Sequence, residues 1–112
     1  MTIAGYFVLA ALLDGPLHGY VIIKRVEALS GGSVRLAAGS LYALLDRQAE
    51  AGLVEVVSEE IVNGRARRYY ALTPAGTAAV EEEAARLAAA AKVVTSRALR
   101  RSALDATVVN PT

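Results

Sequence analysis

Three arginines, Arg65, Arg67 and Arg68, follow closely behind the dipeptide Asn63-Gly64, and no acidic residue lies between Ile61 and Leu72. A guanidinium presents a rigid fork of donors that matches a phosphate, so this cluster suits recognition of a polyanion backbone or a minor groove. Asn-Gly is a favoured tight-turn pair, which places Gly64 and the arginines on a compact projection. A second group lies upstream. Ser40 and Tyr42 can donate hydrogen bonds to phosphate or base edges, Arg47 adds charge, and the small residues Gly39 and Ala43 permit close approach to a groove. Arg35, just before them, could touch a phosphate or equally be an ordinary surface arginine. The plainer reading of the arginines is a solvated basic loop that keeps a sheet edge from pairing with other chains.

Other chemistry has little to stand on. The chain has no cysteine and one histidine, His18, so thiolate metal sites and disulfides are excluded and imidazole chemistry has no second partner. His18 reads as a structural or partly exposed residue. No acid/base pair, phosphate loop or metal-ligand spacing is present, which argues against an enzyme and against a metal or other cofactor. Of the 112 residues, 54% are hydrophobic and 21% charged, the composition of a chain that folds. Its net charge is +1, so affinity for a polyanion must come from local clustering. The apolar run 3–13 has no cationic leader and is shorter than the roughly 20 residues that span a bilayer. A soluble, cytoplasmic protein with no membrane partner is expected.

These groups need elements to hold them. Residues 2–14 read as a first helix, apolar all round, which needs cover on every side; one face should meet its own domain and the other a partner subunit. Residues 17–30 read as a packing helix between Pro16 and the stop signal Gly31-Gly32. Residues 31–37 form a loop or short extended strand. A third helix from residue 38 ends at Gly52 and faces the core with Leu41, Leu44, Leu45, Gln48 and Ala49. Its N-terminus carries the positive end of the helix dipole, while Asp46 and Glu50 confine any contact with DNA to the first turns. Strands over 53–58 and 68–72 flank an arginine-bearing turn at 62–67. Thr73-Pro74 opens a long alanine-rich helix to about residue 102, in which Val80, Ala84, Leu87, Ala91, Val94 and Ala98 alternate steps of four and three. A stripe that long, together with Ile3 and Phe7 of the first helix, predicts a dimer interface. Residues 105–112 read as a flexible tail.

With these elements placed, the sequence resembles the PadR family of bacterial transcriptional regulators over nearly its whole length. The resemblance rests on Leu17-His18-Gly19-Tyr20, Gly39-Ser40-Leu41-Tyr42 with Leu45, Ala51-Gly52-Leu53-Val54, Gly64-Arg65-Ala66-Arg67-Arg68-Tyr69-Tyr70 and Leu72-Thr73-Pro74-Ala75-Gly76, in that order. The single C-terminal helix is similar to the compact subgroup of that family. The resemblance implies a homodimer that binds a palindromic operator in double-stranded DNA, usually as a repressor and often released by a small-molecule effector. It also implies that Ser40 and Tyr42 contact DNA from the recognition helix and Arg65, Arg67 and Arg68 from the wing. Ala43 stands where the family often has proline. Relatives with a drug slot at the dimer centre often use tryptophan there, and this chain has none.

The expected fold is therefore mainly α with a small β-hairpin: a winged helix-turn-helix over 1–73, a dimerisation helix over 74–104 and the tail. An effector would sit in an apolar cavity bordered by Phe7, Leu87 and Ala91. The competing reading is a protein-interaction module that uses the winged fold without sequence-specific DNA binding.

Overall fold

The computed structural model describes residues 1–109. It divides into two compact units, one over Met1–Glu81 and the other from Glu82 onward. In chain order the elements are α1 (Ile3–Ala11), β1 (Leu17–His18), α2 (Gly19–Leu29), α3 (Ala38–Glu50), β2 (Val54–Val62), β3 (Arg65–Leu72) and α4 (Pro74–Val109). Three antiparallel strands form a sheet in the order β1-β3-β2. This is the mainly helical, winged helix-turn-helix architecture that the sequence predicts.

Local chemistry sets the element ends. The Thr2 hydroxyl accepts from the Gly5 N–H and caps α1. α2 and α3 both close in the paired pattern of a Schellman motif. After α2, the Gly31 and Gly32 amides donate to the Ala28 and Glu27 carbonyls; after α3, the Gly52 and Leu53 amides donate to the Ala49 and Gln48 carbonyls. Gly52 has φ 77° there, a backbone that disfavours side chains.

Six side chains form the fully buried centre of the first unit: Val8 and Leu9 of α1, Ile22 and Val26 of α2, and Leu41 and Leu45 of α3. α1 is not covered all round, since Ile3 is more than half exposed and Phe7 is half-buried. Of the core face expected for α3, Leu41, Leu44, Leu45 and Gln48 are buried, whereas Ala49 is exposed. Gln48 ties helix to helix by donating from Nε2 to the Gly5 carbonyl across 3.1 Å.

Several boundaries differ from expectation. The first helix stops at Ala11, and the second starts at Gly19 because Leu17 and His18 extend instead, pairing with Tyr70 and Tyr69. The hairpin strands are longer and the turn shorter: Val62 pairs with Arg65 around Asn63 and Gly64, whose φ values of 52° and 77° are those of a type I′ turn. Both faces of this projecting ribbon meet water, so Ser58-Glu59-Glu60 shows no apolar alternation to betray a strand. α4 continues to Val109, past the expected end near residue 102 and through the first part of the expected tail. The rest of that tail, 110–112, lies outside the described residues.

The start of α4 is fixed by three contacts. Thr73 Oγ1 donates to the Gly52 carbonyl at 2.6 Å and accepts from the Gly76 N–H at 3.0 Å, and the Thr73 amide donates to the Leu53 carbonyl at 3.0 Å. Any Cβ on Gly76 would collide with that same Leu53 carbonyl, so the helix approaches the strand this closely only with glycine there. Val80, expected on the dimer stripe, packs in the chain's own core at 3% exposure. From residue 88 the described α4 side chains are exposed, including Val94, Leu99 and Leu104. Arg86 forms a two-bonded pair with Glu83 one turn earlier, which holds the Glu83 carboxyl below the ordinary range.

On the inner face of β3, burial pushes the Tyr70 hydroxyl above the usual tyrosine value, and the nearby Arg68 guanidinium opposes that shift. In the unfolded chain this tyrosine ionises at about pH 10. The folded value is higher, so its contribution to stability is complete below about pH 10 and falls as the pH rises towards the folded value. The urea midpoint of the wild type should therefore drop more steeply than that of Tyr70→Phe between about pH 9.5 and 11. Parallel slopes would contradict the assignment.

Candidate nucleic-acid interface

The start of α2, the first turns of α3 and the hairpin enclose an open groove of about 550 Å³. Tyr42 enters it from α3, Arg65, Arg67 and Arg68 from the hairpin, and His18, Gly19 and Tyr20 from the β1–α2 junction. Gly19 is needed here for space. A Cβ at that position would lie 2.5 Å from the Tyr42 hydroxyl oxygen and 3.0 Å from the ring carbon bearing it. The Tyr42 side chain therefore lies across the first turn of α2, aligned by the helix beneath it, with almost half of its surface open to solvent.

α3 presents its N-terminus to solvent beside this groove. Its N-cap is Ala37, which supplies no side-chain acceptor, so the first-turn amides lack a side-chain cap and retain donors for an anion. Gly39, Ser40 and Ala43 are exposed on these turns, and nothing lies within 4 Å of the position where a Gly39 side chain would begin. The other two upstream arginines lie elsewhere. Arg47 sits in the last turn of α3 and borders a separate cavity of about 240 Å³ with Gly5, Gln48 and Leu53. Arg35 folds back on its own loop, donating from Nε to the Gly32 carbonyl at 3.3 Å and lying 4.0 Å from Glu27. Neither joins the Tyr42 and hairpin group.

The hairpin is less freely basic than its linear sequence indicates. Glu60 stands opposite Arg67 in the strand register and Glu59 opposite Arg68, with carboxylate to guanidinium distances of 3.6 and 3.5 Å. The Tyr69 hydroxyl donates to Glu60 at 2.6 Å, and its ring meets the edge of His18 at a centroid distance of 5.5 Å. Arg65, at the turn, has no acidic partner among the described residues. Gly64 completes the exposed turn beside it.

Sequence reasoning missed His18, Tyr20 and Asn63 as groove residues. Only Asn63 left a local signal, through its turn pair with Gly64. His18 and Tyr20 reach the groove because β1 pairs with β3, a contact between residues about fifty positions apart. Among the described residues no group of three or more potential ligands is arranged to hold a metal, and no helix is long and apolar enough to cross a membrane.

Of the residues expected at a dimer interface, Ile3 is exposed and Phe7 half-buried, with its ring edge-on to Tyr6 at 5.4 Å. On α4, Ala84 and Leu87 are partly covered, and Ala91, Val94 and Ala98 are exposed.

Comparison with known proteins places this geometry in context. Residues 8–82 match the family described as "Transcriptional regulator PadR-like family". A 37.1 kDa protein of transposon TN4556 from Streptomyces fradiae is 47% identical over 81 residues, covering 72% of this chain and 22% of that protein. Transcriptional regulator Rv3488 of Mycobacterium tuberculosis (strain ATCC 25618 / H37Rv) is 40% identical over 70 residues, covering 62% of each chain. The chain thus spans less than two thirds of the length of either of these curated relatives. The solved structure of Bacillus subtilis PadR in complex with operator DNA superposes with a TM-score of 0.64 at 21% identity, over 72% of this chain and 46% of that one, a likeness of fold. With two thirds of its length matching the family, the chain belongs to the PadR-like transcriptional regulators, a family of regulators rather than enzymes.

Proposed function

We propose that the chain binds double-stranded DNA as a homodimer and regulates transcription from a palindromic operator, as a repressor that a small molecule releases. The observation that carries this reading is the shared groove: Tyr42 of α3, aligned against Gly19, and the hairpin arginines line one space, and the uncapped N-terminus of α3 lies one turn before Tyr42. A helix N-terminus favours a phosphate, and guanidiniums favour the same group, so two independent features select one ligand chemistry. The first turns of α3, with Gly39, Ser40, Tyr42 and Ala43, lie in the major groove, while Arg65, Arg67 and Arg68 straddle the adjoining backbone. Asp46 and Glu50 further along α3 keep the rest of the helix away from phosphates.

Dimerisation is supported by apolar surface that one copy leaves uncovered. Ile3 on α1 and Val94 on α4 are more than half exposed, and Phe7, Ala84, Leu87, Ala91 and Ala98 complete the expected interface. A symmetric pair would present two recognition helices to half-sites about one helical turn, roughly 10 base pairs, apart. The effector would bind at the dimer interface and would act by changing the spacing of the two copies. At one spacing both grooves fit their half-sites; at another they miss.

Selection from random duplexes should enrich an inverted repeat with that spacing, and failure to enrich any sequence would leave the protein-interaction reading in its place. For the enriched duplex, the log–log dependence of affinity on salt should become shallower by about 0.9 for each phosphate that Arg65→Ala/Arg67→Ala/Arg68→Ala no longer neutralises. An unchanged slope would remove the wing from the interface. Gly19→Ala should weaken duplex binding about tenfold, roughly the worth of one well-placed hydrogen bond, by displacing Tyr42, with little change in the urea midpoint. Unaltered affinity would show that Tyr42 does not need its present position.

A further inference from the structure

We propose that Glu59 and Glu60 are specificity-determining residues of the wing: they hold Arg68 and Arg67 in cross-strand pairs, so that those arginines grip the DNA backbone firmly only at the cognate site. The inference rests on the DNA-binding reading above and deepens it.

The charges of the hairpin balance. Between Val54 and Leu72 the chain carries Arg65, Arg67 and Arg68, and also Glu55, Glu59 and Glu60, so this projecting element has no net charge. A neutral ribbon attracts a generic polyanion weakly. What remains is the placement of its charges. Two of the glutamates stand in register with two of the arginines, at 3.6 and 3.5 Å, whereas Glu55 stands opposite Ala71. Exposed pairs of this kind add little to stability, so folding alone gives no reason for both. The Glu60 oxygen that faces Arg67, Oε1, also accepts from the Tyr69 hydroxyl at 2.6 Å, and Tyr69 packs edge-on against His18 of β1. The carboxylate facing Arg67 is therefore anchored to the central strand of the sheet.

A phosphate that approaches Arg67 or Arg68 must share or displace a carboxylate that already faces the guanidinium. On generic DNA nothing else holds the wing against the backbone, and that competition reduces the number of phosphates neutralised. At a cognate site, base contacts from the first turn of α3 fix the wing against one stretch of backbone. The local phosphate is then presented at short range, and the arginines turn to it. Removing the carboxylates should consequently help non-cognate DNA more than cognate DNA.

The test compares the wild-type chain, Glu59→Gln/Glu60→Gln and the control Glu55→Gln/Glu81→Gln, which removes the same charge from glutamates that have no arginine partner among the described residues. Affinities for the enriched duplex and for a scrambled duplex of equal length are measured from about 0.05 to 0.3 M salt. Circular dichroism melting establishes that all three proteins fold alike. The double variant at 59 and 60 should bind the scrambled duplex roughly tenfold more tightly at 0.1 M salt, with a slope steeper by about 0.9 for each arginine released. Its gain on the enriched duplex should be clearly smaller, so the ratio of the two affinities falls. Equal gains on both duplexes, weaker binding, or the same fall in the ratio in the control would overturn the proposal. A wild type that binds neither duplex in a salt-dependent way would instead remove the DNA-binding reading itself, and this is visible before any variant is compared.

Discussion

The Leu53 carbonyl is the point on which the first unit turns. It accepts from the Thr73 amide, and Gly76 approaches it so closely that no larger residue fits. The residue's own amide closes α3 through the Gln48 carbonyl. The end of α3, the residue before β2, the residue after β3 and the start of α4 are thus joined within a few bonds. Helix ends leave backbone groups without partners inside the helix, and here one short segment supplies them for the end of α3 and the start of α4. The angle between α3 and the hairpin is not left to side-chain packing alone. The groove between them inherits its shape from that junction.

A second constraint acts at the groove's other wall. Leu17 and His18 leave the helical path to pair with Tyr70 and Tyr69, which brings the start of α2 against Tyr42, and Gly19 lets the tyrosine ring keep that position. Motifs widely separated in the chain therefore meet because one strand, β3, lies in the middle of the sheet. Its inner face supplies the buried Tyr70 and its outer face Tyr69, which reaches both His18 and Glu60. α3, the hairpin and α2 meet around a sheet whose first strand has only two residues.

Much of this was legible in the sequence wherever the cause is local. The repeat of Leu41, Leu44 and Leu45 marks the buried face of α3, Asn63-Gly64 marks the turn, and Thr73-Pro74 marks the start of α4. What escaped has a distant cause. β1 exists only through its partner strand, and Leu17-His18 followed by a helix-compatible run reads as a helix start. Val80 fits the periodic stripe of α4, yet its position in the first turns puts it in the core. The wing shows the difference most plainly: along the chain, Arg65 to Arg68 stand clear of any acid, whereas across the ribbon Glu59 and Glu60 face two of them. Linear charge patterning describes a strand's neighbours poorly, because its nearest side chains belong to another strand.

Central to the proposed function is one groove, closed by Tyr42 on one side and the hairpin arginines on the other, as the seat of a DNA backbone. The most direct measurement is an amide shift map of the whole chain by NMR, recorded as the enriched duplex is titrated in. The largest changes should fall on Gly39 to Tyr42, on Asn63 to Arg68 and on His18 to Tyr20, with smaller ones around Arg35 and Arg47. Changes concentrated at Arg47, Gly5 and Gln48, around the second cavity, with the hairpin unmoved, would contradict that placement.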